Sequence, residues 1–309
     1  MKKKIAKKLK IVVFTGYACN NNCRFCIAAD KRLLPQKTTA ELSREIYQAR
    51  NKGAQILEII GGEATIRKDF SHMVSLAKKI GIPEVICATN GRVFSDLSRA
   101  REIVEAGMDT LVFSVHGAKA AVHDALTRSP GSFSELCRGL ENLKKIGFSN
   151  INGNTAVVKT NMRGLPEIAG FYAEHKVRNV EYIFVDSNSG GANNNFFELV
   201  PHISKAAPFM RRALEIGLKA GFGQWKVRYV PLCHFTGYEA QISEINEKAL
   251  FLTEHWAPDF KNLDVVKSRA AVGRRKTEKC LGCRLYGTCE GIWVEYLKNY
   301  GDEELHPVQ

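Results

Sequence analysis

The sequence predicts an α/β protein, a partial (β/α)6 TIM barrel followed by a small cysteine-rich region. Short apolar runs rich in β-branched residues alternate with amphipathic segments of helical length as far as residue 221. This alternation is typical of βαβ units around a parallel sheet. Six such units are fewer than the eight that close a TIM barrel. From residue 222 the alternation ends, and the remaining chain contains four cysteines and only short apolar runs.

The individual elements follow from the spacing of their apolar residues. The predicted strands are Ile11–Phe14, Ile56–Ile60, Glu84–Ala88, Thr110–Val115, Asn150–Val158 and Val180–Val185. The predicted helices cover residues 39–52, 69–80, 94–106, 132–147, 164–175 and 204–221. The expected N-caps are Thr38, Ser95 and Ser132, and the expected helix ends are Gly53, Gly81, Gly107 and Gly147.

The order of these elements also predicts where function resides. In a sheet of this kind the chemistry is expected at the carboxyl ends of the strands. Residues 188–195, rich in Gly and Asn, follow the sixth strand and predict a flexible active-site loop. We expect residues 1–221 to form the barrel, with residues 1–10 as a basic tail. Residues 222–309 are expected to be an appended region that needs cross-links such as a bound metal, because it lacks the apolar runs for a core of its own.

The net charge is concentrated in two short stretches. The 309 residues include 45 Lys+Arg against 32 Asp+Glu, a formal net charge of +13. Residues 1–10 hold six lysines and no acid, and residues 267–284 hold seven basic residues and one acid. Contact with a polyanion such as RNA is one explanation. A frayed tail and a solvated loop are the simpler one, because neither stretch interleaves aromatic residues for base stacking.

Composition excludes several classes of protein. A hydrophobic fraction of 45% with 25% charged residues is ordinary for a globular chain and excludes disorder and collagen-like repeats. No apolar run approaches the roughly 18 residues that cross a bilayer. The run Ile11–Phe14 is too short for a secretory signal. We therefore expect a cytoplasmic location, where the nine clustered cysteines favour metal binding or chemistry over disulfides.

The first cysteine cluster follows the first strand. Cys19, Cys23 and Cys26 have the spacing C-x3-C-x2-C. Three thiolates on a four-iron cluster leave one iron open to another ligand. A structural zinc would require a fourth ligand, and this loop contains no histidine. A disulfide would leave the third cysteine of the cluster unpaired, and disulfides are unusual in the cytosol.

Together with the aromatic Phe25, this motif resembles that of the radical S-adenosylmethionine (SAM) superfamily. The resemblance extends along the chain through Gly61-Gly62-Glu63, Thr89-Asn90-Gly91 and Ser114, which end the second, third and fourth strands. It implies a [4Fe–4S] cluster on the three cysteines, whose open iron binds SAM. Reductive cleavage of SAM then yields methionine and a 5′-deoxyadenosyl radical, with an electron donor such as flavodoxin or ferredoxin.

The resemblance also implies residues that bind SAM. These are Phe25, Gly61, Gly62, Glu63, Asn90, Ser114 and, as a weaker candidate, Asn154. The two glycines would let the backbone approach the methionyl part of SAM closely. Glu63 would accept hydrogen bonds from the SAM ammonium group, and Ser114 would meet the ribose.

The second cysteine cluster is Cys280, Cys283 and Cys289, with Cys233 earlier in the chain. Four thiolates complete either an iron–sulfur cluster or a tetrahedral zinc site. The region resembles the SPASM and twitch extensions of radical SAM enzymes. A full SPASM motif would have a cysteine in place of Trp293, so the resemblance implies a single auxiliary [4Fe–4S] cluster. The least secure part of this assignment is Cys233 as the fourth ligand, for which His234 is an alternative. A zinc ion, or a cluster with an open iron that binds substrate, remains an alternative to the closed cluster.

The candidates for handling protons or hydrogen atoms are weaker. Asp186, at the end of the sixth strand, is expected to face the pocket and to accept a proton, although a capping role is simpler. Cys87 is a candidate hydrogen-atom donor, against the ordinary role of a small buried residue. Tyr229 is a similarly weak candidate. The sequence thus predicts an oxidising, epimerising or rearranging enzyme for a small molecule or a peptide. The alternatives are an RNA-modifying radical SAM enzyme and a non-catalytic iron–sulfur or zinc protein.

Overall fold

A nine-stranded sheet runs through the computed structural model of the chain, which describes residues 6–309. In chain order its strands are β1 (Lys8–Phe14), β2 (Ile56–Ile60), β3 (Glu84–Thr89), β4 (Thr110–Ser114), β5 (Ile151–Val157), β6 (Val180–Phe184), β7 (Lys226–Arg228), β8 (Phe251–Trp256) and β9 (Lys261–Asn262). Their spatial order is β7-β6-β5-β4-β3-β2-β1-β8-β9. All neighbours are parallel except β8 and β9. This mostly parallel sheet confirms the predicted α/β partial barrel.

Helices connect the strands and cover the outer face of the sheet. They are α1 (Thr39–Asn51), α2 (Phe70–Lys79), α3 (Leu97–Glu105), α4 (Ala120–Thr127), α5 (Ser132–Lys145), α6 (Leu165–Glu174), α7 (Gly190–Asn194), α8 (Phe196–Leu199), α9 (Ile203–Lys219), α10 (Ser243–Leu250), α11 (Val265–Ser268) and α12 (Val294–Tyr300). A short ladder pairs β10 (Arg274–Arg275) with β11 (Ile292–Trp293). The hydrophobic core includes Leu42, Ile46, Phe70, Val85, Leu111, Phe113, Tyr172 and Met210. None of the helices in residues 6–309 is both long and apolar enough to cross a membrane.

All six predicted strands and all six predicted helices are present, with small differences at their ends. The N-cap prediction is right for Thr38, whose side chain takes part in a capping box. It is wrong for Ser95, because the N-cap of α3 is Asp96. It is also wrong for Ser132, which is the first helical residue after Gly131. Helix α4 was not predicted.

The sheet continues past the predicted boundary at residue 222. Strand β7 pairs with β6, and β8 pairs with β1 on the opposite side of the sheet. The sequence did not predict β8 because Glu254 interrupts its apolar pattern. Glu254 of β8 is nevertheless buried, and its carboxylate lies 2.7 Å from Lys52 Nζ. A distant lysine thus makes an acidic residue compatible with a strand in the sheet.

The predicted basic tail is partly strand. Residues 1–5 lie outside the described residues, whereas β1 begins at Lys8. Lys10 lines the inside of the barrel, and its ammonium nitrogen is 2.5 Å from Glu58 Oε2. The prediction of a tail is therefore wrong for residues 8–10, because their ladder with β2 and β8 orders them.

The second basic stretch is not a solvated loop at two of its four arginines. Arg269 and Arg274 are buried. Arg269 pairs with Glu290 at 2.9 Å and with Glu247 at 3.0 Å, and Arg274 lies 3.8 Å from Glu244. These acidic partners come from other segments, so composition within the stretch did not reveal them. Both guanidinium groups are directed to protein carboxylates rather than to solvent.

Candidate active site

The inner face of the sheet encloses a cavity of about 630 Å³. Because side chains alternate along a strand, every second residue faces it. Ile86 and Ala88 of β3, Val112 of β4 and Asn154 of β5 belong to its wall. This volume is within the range that binds small molecules. The cavity is therefore the natural place for a substrate.

The loop with the first cysteine cluster lies at the edge of this cavity. Phe25 and Cys26 contribute directly to the cavity wall. The loop is held by α4, which the sequence did not reveal. The backbone N–H groups of Asn22 and Arg24 donate to the carbonyl oxygens of the last turn of that helix, at 2.8 and 3.0 Å. Helix α4 thus fixes the cysteine loop relative to the sheet.

The Gly61-Gly62 pair brings the end of β2 against the start of the cysteine loop. Gly62 N donates to Gly16 O at 2.9 Å, and Glu63 N donates to Ala18 O at 2.8 Å. A Cβ atom at Gly62 would overlap the carbonyl oxygens of residues 17 and 18. The close approach that requires glycine here is thus to the chain's own backbone, whereas the sequence prediction assigned it to SAM.

A second glycine pair, Gly190-Gly191, packs against the same loop. These residues begin α7 and are buried, and Gly191 N donates to Cys26 O at 2.8 Å. The predicted flexible loop at residues 188–195 is therefore wrong, because most of it is a helix docked on the cysteine loop. The glycines serve close packing, since a Cβ atom at Gly191 would overlap Arg24 O.

Replacing Gly191 by alanine is expected to displace the cysteine loop. The added methyl group needs a backbone shift, which costs about 1–3 kcal/mol in the free energy of unfolding. We expect a matching loss of iron bound at Cys19, Cys23 and Cys26. Gly223→Ala is the control, because its Cβ atom would meet nothing within 4 Å. Chemical denaturation and iron analysis measure the two effects, and equal behaviour of the two variants would contradict this account.

Glu63 fixes the corner between β2 and β3. Its Oε1 accepts hydrogen bonds from Thr65 and from the Thr89 hydroxyl at 2.8 Å, and its Oε2 accepts one from Asn90 N at 2.6 Å. Burial raises the pKa of Glu63, and these hydrogen bonds oppose the increase. Because Oε2 accepts only one hydrogen bond in the described chain, it retains a lone pair for a further donor such as an ammonium group.

Asn90 and Arg92 connect the end of β3 to the cysteine loop. Asn90 Nδ2 donates to Asn20 Oδ1 at 2.7 Å and lies 3.9 Å from Cys19 Sγ. Arg92 Nη1 donates to the carbonyl oxygen of Asn20 and, at 2.9 Å, to Asn21 Oδ1. Arg92 is a positioning residue that the sequence did not reveal, because an arginine directly after Thr89-Asn90-Gly91 forms no recognisable motif.

Ser114, the last residue of β4, is the register partner of Asn154 in the middle of β5. Asn154 lines the cavity, and its side-chain amide makes no hydrogen bond within residues 6–309. Ser114 lies on the same face of β4 as the cavity residue Val112, since the two are two positions apart. Both predicted SAM-binding residues are thus on the inner face of the sheet.

Two buried histidines support Phe25. The ring of His116 packs edge-on against Phe25, with 4.7 Å between the ring centres. His123 of α4 accepts a hydrogen bond from His116 N at 3.2 Å. Burial lowers the pKa of His116 to about 3 and that of His123 to about 4, so both rings are neutral at neutral pH.

This environment predicts an acid-sensitive contribution to stability. An unfolded histidine has a pKa of about 6.5. The contribution of His123 is therefore complete above pH 6.5 and is lost as the pH falls towards 4, because only the unfolded state takes up the proton. Between pH 7 and pH 5, the stability of the native protein relative to His123→Gln should fall by about 2 kcal/mol.

Urea denaturation at both pH values measures this difference. His72→Gln is the control, because His72 is exposed on the surface of α2. Its stability relative to the native protein should change little with pH. A difference between the native protein and His123→Gln that is the same at pH 5 and pH 7 would refute the prediction.

The three cysteines of the first cluster lie close to one another. Burial, together with the nearby sulfurs of Cys19 and Cys26, raises the pKa of Cys23 to about 12. Cys19 Sγ also accepts a hydrogen bond from Asn21 N at 3.3 Å. The donor set fits a [4Fe–4S] cluster, since three thiolates can hold three of its irons.

The four cysteines of the second cluster line one enclosed cavity, which also contains Leu285 and His306. Cys289 Sγ accepts hydrogen bonds from Leu232 N at 3.4 Å and from Gly291 N at 3.2 Å, and Cys283 Sγ accepts one from Val308 N at 3.3 Å. Backbone N–H groups directed at sulfur stabilise thiolate ligands. Cys233, distant in sequence, thus lies beside the other three cysteines.

The spacing of the sulfurs bears on the kind of metal. No three cysteine sulfurs in residues 6–309 lie within 4.8 Å of one another. Thiolates around a single zinc ion would be about 4 Å apart. The ligand atoms of Cys233, His234 and His306 do lie within 4.8 Å of one another, and His234 Nε2 is 2.8 Å from Glu304 O. The cysteine sulfurs of the second cluster are thus spaced more widely than the thiolates of a single zinc ion.

The two catalytic candidates have different surroundings. Cys87 is buried on the face of β3 opposite to Ile86 and Ala88, so it packs in the core under the helices. The expectation that it donates a hydrogen atom to substrate is wrong, because strand alternation turns it away from the cavity. Asp186 lines the cavity as expected, and its Oδ1 accepts a hydrogen bond from Asn188 N at 2.8 Å. Burial raises its pKa.

Comparisons with known proteins agree with these features. The chain is 27% identical over 168 residues to a probable GTP 3′,8-cyclase from Sulfolobus acidocaldarius, covering 54% of this chain and 53% of the relative. The chain thus spans about half the length of the curated relatives it matches.

Two solved structures share the fold over nearly the whole chain. SuiB from Streptococcus suis bound to the precursor peptide SuiA has a TM-score of 0.66 at 16% identity, covering 97% of this chain and 75% of SuiB. Native anSMEcpe with bound AdoMet and the Cp18Cys peptide has a TM-score of 0.64 at 14% identity, covering 97% of this chain and 92% of that one. The family model of the radical SAM superfamily matches residues 13–171, just over half of the sequence. The chain therefore belongs to the radical SAM superfamily.

Proposed function

We propose that the chain is a radical SAM enzyme with two [4Fe–4S] clusters that abstracts hydrogen from a small molecule or a peptide in the central cavity. One observation carries this proposal. Phe25 and Cys26 of the cysteine loop form part of the wall of the same cavity that Asp186 and Asn154 line. A radical generated at this loop would therefore be released into a cavity of substrate size.

Membership of the superfamily implies SAM and a [4Fe–4S] cluster, which supply a 5′-deoxyadenosyl radical when bound. Cys19, Cys23 and Cys26 would hold the cluster. Glu63, with its remaining lone pair, would accept a hydrogen bond from the SAM ammonium group. Asn90 holds the cysteine loop through Asn20 and so orients it.

Further residues would complete the SAM site. The side chains of Ser114 and Asn154 would meet the nucleoside, because both lie on the inner face of adjacent strands. Phe25 would close one side of the site, and its contact with His116 holds the ring in place. The backbone at Gly61 and Gly62 shapes the opposite side. The apolar wall between them would exclude water from the reacting groups.

The auxiliary site would bind a second [4Fe–4S] cluster through Cys233, Cys280, Cys283 and Cys289. The enclosed cavity that they share and the N–H groups directed at Cys289 and Cys283 support this assignment. A ligand set complete with four thiolates suits electron transfer or a structural role. Electrons would come from a donor such as flavodoxin or ferredoxin.

The substrate class rests on the cavity and on the fold. The cavity suits a small molecule or one side chain of a peptide. A peptide is a candidate because SuiB, which shares the fold, was solved with the precursor peptide SuiA. An RNA substrate is less well supported, because the buried Arg269 and Arg274 leave fewer cations of the second basic stretch for phosphate contacts.

Anaerobic incubation of the reconstituted protein with SAM and dithionite tests this function. We expect methionine and 5′-deoxyadenosine to form together, at a rate that rises when cell extract supplies substrate. If no 5′-deoxyadenosine forms from protein with a full complement of iron, the enzyme proposal fails. The cysteines would then have a structural or sensing role.

A further inference from the structure

The wall of the central cavity contains one more acidic than basic side chain. Its carboxylates are Glu58, Glu181, Asp186 and Glu247. Its cations are Lys10, Arg228 and Arg269. The cavity also contains His255, but burial lowers the pKa of this histidine to about 4, so its ring is neutral at neutral pH. The lining residues thus carry a net charge of about −1 near pH 7.

The three cations are already paired with acids of the wall. Lys10 Nζ is 2.5 Å from Glu58 Oε2. Arg228 forms a two-point contact with Glu181, at 2.9 and 3.1 Å, and a third hydrogen bond at 3.1 Å to Glu247. These ion pairs hold their charges in fixed positions inside the barrel.

Arg269 is the third paired cation of the wall, and Asp186 is the acid that has no basic partner. Arg269 bridges Glu247 at 3.0 Å and Glu290 at 2.9 Å. Asp186 has no basic nitrogen within 4.0 Å among residues 6–309, and its Oδ2 receives no hydrogen bond there. Arg274 acts on Asp186 only at longer range and donates to Gly291 O instead. Asp186 is therefore the uncompensated charge of the cavity.

Tyr229 offers a second unused polar group in the same wall. Its backbone has φ = 65°, a conformation that is strained for a bulky side chain. Glu244 accepts a hydrogen bond from Tyr229 N at 2.5 Å, and the Tyr229 ring packs against Trp293 with 4.7 Å between centres. The hydroxyl group has no partner within the described part of the chain. The surroundings thus hold the tyrosine in this position against its backbone preference.

We propose that the substrate is a primary aliphatic amine whose ammonium group binds Asp186, with the Tyr229 hydroxyl as a further hydrogen-bond acceptor. Asp186 is partly buried, and an ammonium group would both pair with its negative charge and donate to its free oxygen. Asp186 and Cys26 line the same cavity, so the amine is held within the space where hydrogen abstraction occurs. This inference rests on the proposed function, because it takes the cavity as the substrate site.

Ligand binding tests the inference without requiring turnover. The probes are cyclohexylamine and its neutral analogue cyclohexanol, and saturation-transfer NMR measures their affinities for the reconstituted protein with SAM bound. We expect the amine to bind at least about tenfold more tightly than the alcohol, as for a charge-assisted hydrogen bond. Asp186→Asn should remove this preference, and Asp186→Glu, which retains the charge, should keep most of it. Glu141→Gln removes one exposed carboxylate and is the control for net charge.

Three results would overturn the inference. They are equal binding of the amine and the alcohol to the native protein, retention of the preference in Asp186→Asn, and loss of SAM binding in that variant, which would assign Asp186 to the SAM site. Equilibrium dialysis with SAM decides the last point. Formation of 5′-deoxyadenosine is measured separately, so failure of the amine preference and failure of the proposed function give different results.

Discussion

Replacing Cys19, Cys23 and Cys26 together by alanine is expected to abolish formation of 5′-deoxyadenosine and to leave the second site loaded. The three cysteines are the only ones in the loop beside the central cavity, and the other cluster cysteines line a separate enclosed cavity. Iron content should fall from about eight to about four atoms per chain, because each site would hold one four-iron cluster. Product analysis by mass spectrometry and iron analysis measure the two effects.

Cys137→Ala is the matched control for this variant. Cys137 lies on α5, outside both cysteine sites, and its replacement should change neither iron content nor product formation. A triple variant that binds no iron would disprove the auxiliary cluster. A triple variant that still forms 5′-deoxyadenosine would disprove the role of the first cluster.

Arg269→Met is expected to lower the free energy of unfolding by about 3 kcal/mol, the lower end of the usual cost of breaking a buried ion pair, because Glu247 keeps Arg228 and Glu290 keeps Lys248 as a partner. The Arg269 side chain is only 6% exposed and Glu290 only 2%. Two hydrogen bonds, at 2.9 and 3.2 Å, join them, and Glu247 accepts a further contact from the same guanidinium. Methionine fills a similar volume, so the loss reports mainly the missing guanidinium contacts to Glu290 and Glu247 rather than a cavity.

Arg275→Met is the control, because Arg275 is the exposed neighbour of Arg274 in the same short strand. Chemical denaturation of both variants with their clusters intact measures the difference. The two substitutions would have equally small effects if the second basic stretch were a solvated loop, as its composition suggested. That result would contradict the buried network.

The elements that could be predicted from sequence are those whose signal is local. The six central strands and their helices show their own apolar periodicity, and Thr38 shows its capping box within four residues. Strand β8 has no such signal, because Glu254 is accommodated by Lys52, 202 positions away. The same reason hides Arg269 and Arg274, whose acidic partners belong to other segments.

The residues of the candidate site likewise differ in whether a local sequence pattern predicts them. The cysteine spacing and the strand-end motifs were visible as patterns. The role of Gly190 and Gly191 was not, because a glycine needed for close packing and a glycine in a flexible loop look alike in sequence. For Cys87 the sequence also carried no signal, because the continuous apolar run Val85–Ala88 does not show which face of the strand the thiol takes. Helix α4 was missed although it anchors the cysteine loop.

The central claim is that the loop of Cys19, Cys23 and Cys26 holds a cluster with one iron open to SAM. Electron paramagnetic resonance of the reduced protein tests it most directly, in the variant with Cys280, Cys283 and Cys289 replaced by alanine. That variant retains the first site alone, so its spectrum has a single source. We predict that addition of SAM shifts this spectrum. A spectrum that stays the same at saturating SAM would contradict the account.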